Sequence, residues 1–118
     1  MTENIASARI TGTIVRPGKY ADGKDRCELQ ISAASLNNLP HEYRLKKPIL
    51  MKIGNICYEA GVHETKKGVV WISAVLFKKG PRREHARLVD ALEDIDLTAG
   101  DAIIIKVNID GTFLLQRL

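Results

Sequence analysis

Hydrophobic and polar residues alternate in several stretches of this chain, and a period of two is typical of half-buried β-strands. Residues 8–15 (ARITGTIV) and 26–31 (RCELQI) predict the first two strands, and Gly12 is a candidate bulge in the first of them. The residues between these strands, 16–24, contain a Pro-Gly and an Asp-Gly dipeptide, which favour a loop. The beginning of the chain therefore predicts two strands joined by a long polar loop.

The middle of the chain predicts three further strands. Residues 48–53 and 56–62 flank a Gly-Asn pair, which predicts a hairpin. Residues 63–68 (HETKKG) predict a charged turn. The run at 69–77 (VVWISAVLF) is so apolar that we expect one continuous, largely buried strand with Trp71 in the core.

The segment 96–118 (DLTAGDAIIIKVNIDGTFLLQRL) predicts a turn followed by a final hairpin. Residues 102–107 predict one strand, and 112–118 predict its antiparallel partner. The Asp110-Gly111 pair between them favours a type I′ turn, which needs positive φ at both central residues. A strand as apolar as 102–107 requires cover on both faces, and a barrel or a sheet closed by helices provides it.

Two stretches predict short helices. Residues 32–39 (SAASLNNL) begin with a Ser cap and end before Pro40, and residues 84–95 carry a helical apolar stripe. Seven strands connected mainly by hairpins leave no room for the helices of a doubly wound fold. The expected fold class is therefore mainly β (α+β): a seven-stranded pseudobarrel over residues 8–118, with the two helices at its ends. Residues 1–7 are expected to be a flexible N-terminus.

The composition is that of an ordinary globular protein. Of the 118 residues, 45% are hydrophobic and 27% are charged, and the formal net charge of +4 suits a polyanionic partner. No apolar run approaches the ~20 residues of a membrane span, and the N-terminus lacks a signal-peptide pattern. We therefore expect a cytoplasmic protein with no membrane partner. Cys27 and Cys57 lack metal-ligand spacing, and we expect both to be reduced and buried.

Motifs for catalysis are sparse. Glu64-Thr65-Lys66 is an ExK triplet, which metal-dependent nucleases use together with an upstream Asp to hold Mg²⁺. Here the triplet falls in a predicted turn, and a solvated turn is the favoured interpretation. His41, His63 and His85 lie on three predicted connections without a metal-ligand pattern, and no nucleophile or phosphate-loop motif is present. We expect no cofactor, no metal and no catalysis by this chain itself.

Basic residues concentrate on the predicted connections. Such loops on a rigid barrel offer phosphate contacts and let a few side chains reach base edges, whereas ordinary solvation of turns is the alternative interpretation. Tyr20 lies between two lysines and favours binding, although Asp22 and Asp25 partly offset the charge there. Residues 41–47 form a further polar connection. The basic residues are Arg16, Lys19, Lys24 and Arg26 near the first loop, Lys66 and Lys67 before the fifth strand, and a basic linker of Lys78, Lys79, Arg82 and Arg83.

The order and spacing of these elements resemble a known family. The motifs are ELQISAASLNNLP, a strand that runs into a short helix; IGNICYEAGV, a Gly turn before a strand; and DLTAGDAIIIKV, an L-x-x-G-D turn before an apolar strand. Over about residues 8–118, the chain resembles the DNA-binding pseudobarrel of plant B-three-type transcription factors, which also serves as the recognition domain of EcoRII- and BfiI-like restriction enzymes. The L-x-x-G-D turn is shared with swapped-hairpin and double-psi barrels, and the aromatic-rich strand of the plant pattern is missing.

The resemblance implies two arms that grip the major groove of double-stranded DNA. One arm follows the first strand, and the other joins the fourth and fifth strands. Lysines and arginines would neutralise phosphates, while Arg16, Arg26, Lys66 or Glu64 would read bases. Carried over by position, the first arm consists of Arg16, Lys19, Tyr20, Lys24 and Arg26, and the second arm consists of His63, Glu64, Thr65, Lys66 and Lys67.

We therefore expect a non-catalytic module that binds double-stranded DNA through two basic loops. The first alternative is a small bacterial barrel that acts as a ligand-binding or protein-interaction module, or as a subunit of a larger protein complex, because one barrel shape serves unrelated functions. The second alternative is a metal-dependent nuclease that uses Glu64 and Lys66. The charge of the loops alone is compatible with all three.

Overall fold

The computed structural model describes residues 9–118, so the expectation of a flexible segment at residues 1–7 lies outside the described range. The described residues form nine strands, one 3-10 helix and one α-helix. The strands are β1 Arg9–Lys19, β2 Asp25–Ile31, β3 Lys47–Ile53, β4 Ile56–Glu64, β5 Val70–Ile72, β6 Val75–Lys78, β7 Glu84–Arg87, β8 Ala102–Val107 and β9 Phe113–Arg117; the 3-10 helix is Ala33–Asn38, and α1 is Leu88–Glu93.

Seven of these strands close into a barrel. Neighbouring strands follow the order β3-β9-β8-β1-β2-β5-β4, and β4 pairs back with β3. β3 and β9 are parallel, whereas the other neighbours around the barrel are antiparallel. The prediction of a mainly β, seven-stranded barrel with two short helices is therefore confirmed. β6 and β7 extend the sheet beyond the barrel from one edge of β4.

The interior of the barrel is filled by aliphatic side chains from alternate strand positions. Ile10 and Ile14 of β1, Leu29 of β2, and Ile103 and Ile105 of β8 are at most 1% exposed. Burying each such side chain contributes about 1.5–3 kcal/mol relative to leaving it in water. Since core side chains occupy the centre, the surfaces that a ligand can reach lie on the outside of the barrel and on its loops.

Gly12 is required by close packing between strands and is not a bulge. It pairs in regular register with both β2 and β8, and a Cβ atom there would lie 2.5 Å from the backbone oxygen of Gln30. The irregularity in the β1–β2 pairing lies between Val15 and Gly18 instead. β1 continues to Lys19, so the loop that follows it is shorter than the predicted loop of residues 16–24.

The predicted fifth strand is two strands, β5 and β6, separated by Ser73-Ala74. Both pair with β4, but the register moves by two residues between them. Because successive side chains of a strand point to opposite faces, only alternate residues of this apolar run reach the interior. Trp71 lies half-buried on the outside of the barrel, so the prediction that it belongs to the core is wrong.

Residues Glu84–Arg87, predicted as the start of the second helix, form β7 and pair antiparallel with β6. α1 begins only at Leu88, the first residue of the apolar stripe; it contacts β2, and Val89 and Leu92 are among its buried residues. The four residues before the stripe bring no large apolar side chain to a helix, and pairing with β6 satisfies their backbone groups. Tertiary pairing therefore overrides the helical periodicity there.

Three hairpins share one loop form. The loops Ala21-Asp22-Gly23, Lys66-Lys67-Gly68 and Ile109-Asp110-Gly111 each end in a glycine, with φ of 87°, 84° and 87°. In each hairpin the residue before the loop donates its amide to the carbonyl of the residue after it, at 2.8–2.9 Å. Only the glycine has positive φ, so the predicted type I′ turn is wrong. A three-residue loop with one left-handed glycine takes its place.

The two cysteines are free, as expected. Cys27 is buried, and burial raises the pKa of its thiol, whereas Cys57 is only half-buried. Neither helix in residues 9–118 has the length and the apolar content that a membrane-spanning helix needs.

Candidate nucleic-acid interface

The two arms lie at opposite ends of β2. The loop of the first arm, residues 20–24, leads directly into Asp25, where β2 begins. Near the other end of β2, Gln30 pairs with Trp71 of β5, which follows closely on the hairpin of the second arm. β2 has seven residues, and a strand rises about 3.3 Å per residue, so the arms are separated by roughly 20 Å along the barrel wall.

The outward side of β2, β5 and β4 lies between the arms, and we call it the inter-arm face (Glu28, Gln30, Trp71 and His63). Gln30, Trp71 and His63 form one row across the three strands. The rings of His63 and Trp71 stack, with centroids 4.3 Å apart and planes inclined by 14°. Such a stack fixes the position of both rings, so the face presents a polar amide beside a rigid aromatic pair.

Lys46 lies beside the inter-arm face across Gly61. A Cβ atom on Gly61 would lie 2.6 Å from Cδ of Lys46 and 3.4 Å from Nε2 of His63. The missing side chain therefore lets the aliphatic part of Lys46 lie on β4 next to the imidazole ring. Burial lowers the pKa of His63, and the charge of Lys46 lowers it further. Both effects favour the neutral form of the imidazole.

Most cations of the first arm are paired with carboxylates. Of its four basic residues, Lys19 alone forms no ion pair with another residue in the described part of the chain. Pairs of this kind reduce the positive potential that a polyanion meets. The pairs are Arg16–Asp25 at 3.6 Å, Arg26–Glu28 at 3.2 Å, Lys24–Glu93 at 3.1 Å and Lys24–Asp90.

Tyr20, the aromatic residue of the first arm, is occupied by contacts within the protein. Its ring packs against the core, and the guanidinium of Arg87 lies 3.8 Å from the ring centroid. Its hydroxyl is buried without a hydrogen-bond partner among residues 9–118. Arg87 also donates to Oδ2 of Asp22 at 2.8 Å. The first arm is thereby attached to β7 and α1.

The second arm presents its cations at the tip of the β4–β5 hairpin. Lys66 and Lys67 are exposed, and neither forms an ion pair within residues 9–118. Oγ1 of Thr65 accepts a hydrogen bond from the amide of Val69 at 3.1 Å, and the amide of Gly68 donates to the carbonyl of Thr65 at 2.9 Å. These bonds fix the loop, so the two lysines project from a defined turn.

Glu64 is the last residue of β4 and is not part of a solvated turn. Its Oε1 lies 2.6 Å from Nδ1 of His41, and the two side chains are 20% and 28% exposed. Within residues 9–118, no three His, Cys, Asp or Glu side chains come together to hold a metal ion, so the described chain places no such cluster at the ExK triplet. His63 and His85, predicted on connections, lie on β4 and β7.

Residues 41–47, predicted only to be a polar connection, also contribute to the surface beside the second arm. Tyr43 forms an isolated β-bridge with Glu64, so this segment runs beside the second arm. Tyr43 is 41% exposed, and the guanidinium of Arg44 lies 5.3 Å from its ring centroid. Arg44 itself has a φ of 73°, a strained conformation for this residue type. The basic and aromatic residues of HEYRLKK were the signal that could have identified it.

The basic linker adds exposed cations away from the inter-arm face. Lys78, Lys79 and Arg82 are exposed and form no ion pairs within the described residues, whereas Arg83 donates to Oε1 of Glu59 at 2.9 Å. β6, which leads into the linker, pairs with the first half of β4, but the second arm follows the last residue of β4. The two basic groups therefore lie towards opposite ends of this strand.

The fold and the surface together define a closed β-barrel that carries a basic hairpin beside an aromatic outer face. In comparisons with known proteins, the chain matches no protein family, no curated protein and no solved structure. The resemblance to the DNA-binding pseudobarrel therefore depends on the order of the elements and on the quoted motifs.

Proposed function

We propose that this protein is a non-catalytic module that binds double-stranded DNA, as its resemblance to the pseudobarrel family implies. The observation that carries the proposal is the β4–β5 hairpin, whose Lys66 and Lys67 are exposed at a hydrogen-bonded turn and have no carboxylate partners among residues 9–118. Cations presented in this way displace counterions from DNA phosphates, and this release of ions favours binding.

The second arm is the principal contact in this proposal, and the inter-arm face meets the groove. Gln30 carries an amide of the type that pairs with the major-groove edge of adenine, and His63 lies in the same cross-strand row. Arg44 and Lys46 extend the positive surface beside the second arm. The first arm contributes less, because Lys19 is its one basic residue without an ion pair within the described chain.

The test is a fluorescence-anisotropy titration with random-sequence duplex DNA at about 50 and 200 mM salt. Each lost phosphate contact lowers the slope of log K against log salt by about 0.9. Lys66→Ala/Lys67→Ala should therefore weaken binding and reduce the magnitude of the slope by about 1.8, the equivalent of two phosphate contacts. The matched control is Lys52→Ala/Lys106→Ala, which removes the same charge from a row on the β3–β9–β8 wall.

The control variant should keep most of the affinity of the unmodified protein. Equal losses in the two double variants would mean that net charge, and not the hairpin, determines binding. An unchanged salt slope in Lys66→Ala/Lys67→Ala would remove the second arm from the interface, and absence of binding at the lower salt would end the DNA proposal.

A depression on the outside of the barrel favours a second candidate, a ligand-binding module. It has a volume of about 400 Å³, within the range of small-molecule sites. In that case NMR titration with small-molecule fragments should shift the amide of Ala86 while duplex DNA shifts nothing. The lining residues are Tyr20, Val75, His85, Ala86, Arg87 and Asp90.

A further inference from the structure

Two carboxylates of helix α1 contact Lys24, the residue that follows the three-residue β1–β2 loop. Asp90 and Glu93 lie one helical turn apart, and both contact Nζ of Lys24, Glu93 at 3.1 Å. The hydrogen bonds to Asp90 and Glu93 raise the pKa of Lys24, so the ammonium group is held charged between carboxylate oxygens. Lys24 therefore points to α1 in this structure, and not to an approaching ligand.

A second set of contacts attaches the same loop to β7. Arg87 donates to Oδ2 of Asp22 at 2.8 Å, and its guanidinium covers the ring of Tyr20. Asp22 and the two residues that flank the three-residue loop, Tyr20 and Lys24, thus contact one strand and one helix that follow more than sixty residues later in the chain. The loop is held as a unit.

We propose that α1 holds the first arm in an autoinhibited position, in which Asp90 and Glu93 bind the ammonium group of Lys24 that DNA would otherwise contact. This inference rests on the proposed DNA-binding function. Carboxylates accept charge-assisted hydrogen bonds from an ammonium group as phosphates do, so the two side chains act as an internal substitute for the DNA backbone.

The contact is weak enough for DNA to displace it. Side-chain exposures are 39% for Lys24, 50% for Asp90 and 55% for Glu93, and exposed ion pairs contribute little and are screened by salt. Duplex DNA carries one charge per about 1.7 Å of helix axis, a density that two carboxylates do not reach. The first arm therefore engages DNA only after its lysine exchanges one set of anions for another.

The experiment compares DNA binding by the full chain and by Asp90→Asn/Glu93→Gln. Removing the carboxylates should tighten binding about two- to tenfold. The magnitude of the slope of log K against log salt should increase by about 0.9, the equivalent of one phosphate contact, because Lys24 becomes available. Adding Lys24→Ala to this variant should abolish the gain. A gain that survives Lys24→Ala, or no gain at all, would overturn the proposal.

The matched control is Asp94→Asn/Asp96→Asn. It makes the same change in net charge just after α1, and neither carboxylate forms an ion pair within residues 9–118. An equal gain in this control would show a general charge effect and would contradict the autoinhibitory contact.

A readout without DNA separates this inference from the proposed function. In ¹⁵N relaxation measurements, the order parameters of residues 21–24 should fall in Asp90→Asn/Glu93→Gln and stay unchanged in the control variant. If no form of the protein binds DNA but the loop loosens as described, the proposed function fails while the contact stands. Unchanged order parameters would overturn the contact itself.

Discussion

His63 is the titratable residue at the centre of the inter-arm face, and its surroundings favour the neutral ring. Partial burial disfavours the imidazolium, and the ammonium of Lys46 adds repulsion, so the pKa of His63 is lower in the folded protein than its ordinary value of 6.5. The unfolded chain consequently takes up a proton at this residue at a higher pH than the folded chain does. Linkage then requires that the folded protein lose stability as the pH falls through 6.5 and below.

His63→Gln should remove this part of the pH dependence. The decrease in melting temperature between about pH 7.5 and pH 5.5 should be smaller than in the unmodified protein, because glutamine does not titrate in this range. The variant also loses the stack of His63 on Trp71, which lowers the melting temperature at both pH values. The comparison is therefore made between the two decreases, and not between the melting temperatures themselves. His85→Gln, a change on the exposed strand β7, is the control. An unaltered pH profile for His63→Gln would argue against a lowered pKa.

At the scale of elements, the end of α1 shows how a short helix is terminated without glycine. Asp96 has a φ of 59°, and the amide of Leu97 donates to the carbonyl of Leu92 at 2.9 Å. This is a Schellman arrangement, in which the left-handed position is usually glycine. Leu97 is 2% exposed, so the chain reverses directly into the core.

Asp96→Gly should stabilise the protein by about 0.5–1 kcal/mol, because glycine adopts the left-handed conformation without the steric strain of a side chain. Asp94→Gly provides a control of opposite sign: Asp94 has helical dihedral angles, φ −63° and ψ −18°, and glycine in place of aspartate in a helix costs a few tenths of a kcal/mol. Both changes remove one acidic group. Chemical denaturation measures both, and equal effects of the two variants would show that charge, and not conformation, is responsible.

Element types that depend on local pattern were predictable, and elements that depend on distant pairing were not. The alternation at 26–31 predicted β2 with nearly the correct ends. This was possible because the alternation of inward and outward side chains is visible within the strand's own sequence. Glu84–Arg87 became a strand only because it lies beside β6. The apolar run at 69–77 broke at Ser73-Ala74 because both of its halves had to pair with β4.

At the scale of the whole molecule, β9 is the strand that closes the barrel. It pairs with β8 through five residues and, in parallel, with β3. β3 and β8 do not pair with each other, so β9 is the strand that joins them. Phe113 and Leu115 are 7% and 2% exposed and complete the core from this strand. Its removal would leave two exposed strand edges.

A protein truncated after Thr112 should therefore lose cooperative thermal unfolding. It lacks two buried side chains worth several kcal/mol, and it exposes edges of β3 and β8. Removing Leu118 alone, which is 67% exposed, should leave the transition within a few degrees. Circular dichroism in the near and far ultraviolet measures both variants, and a cooperative transition for the longer truncation would contradict the role assigned to β9.

The sequence by itself determined the class of fold, because alternating apolar residues and glycine turns are local features that act on the few residues around them. It also identified the charged loops. It did not determine which of their cations are available. Lys24 and Lys66 look equivalent in the sequence, yet only the tertiary structure pairs Lys24 with Asp90, 66 residues away, and leaves Lys66 at an open hairpin tip. Ion pairs between distant residues depend on how the chain packs, and no local pattern encodes them.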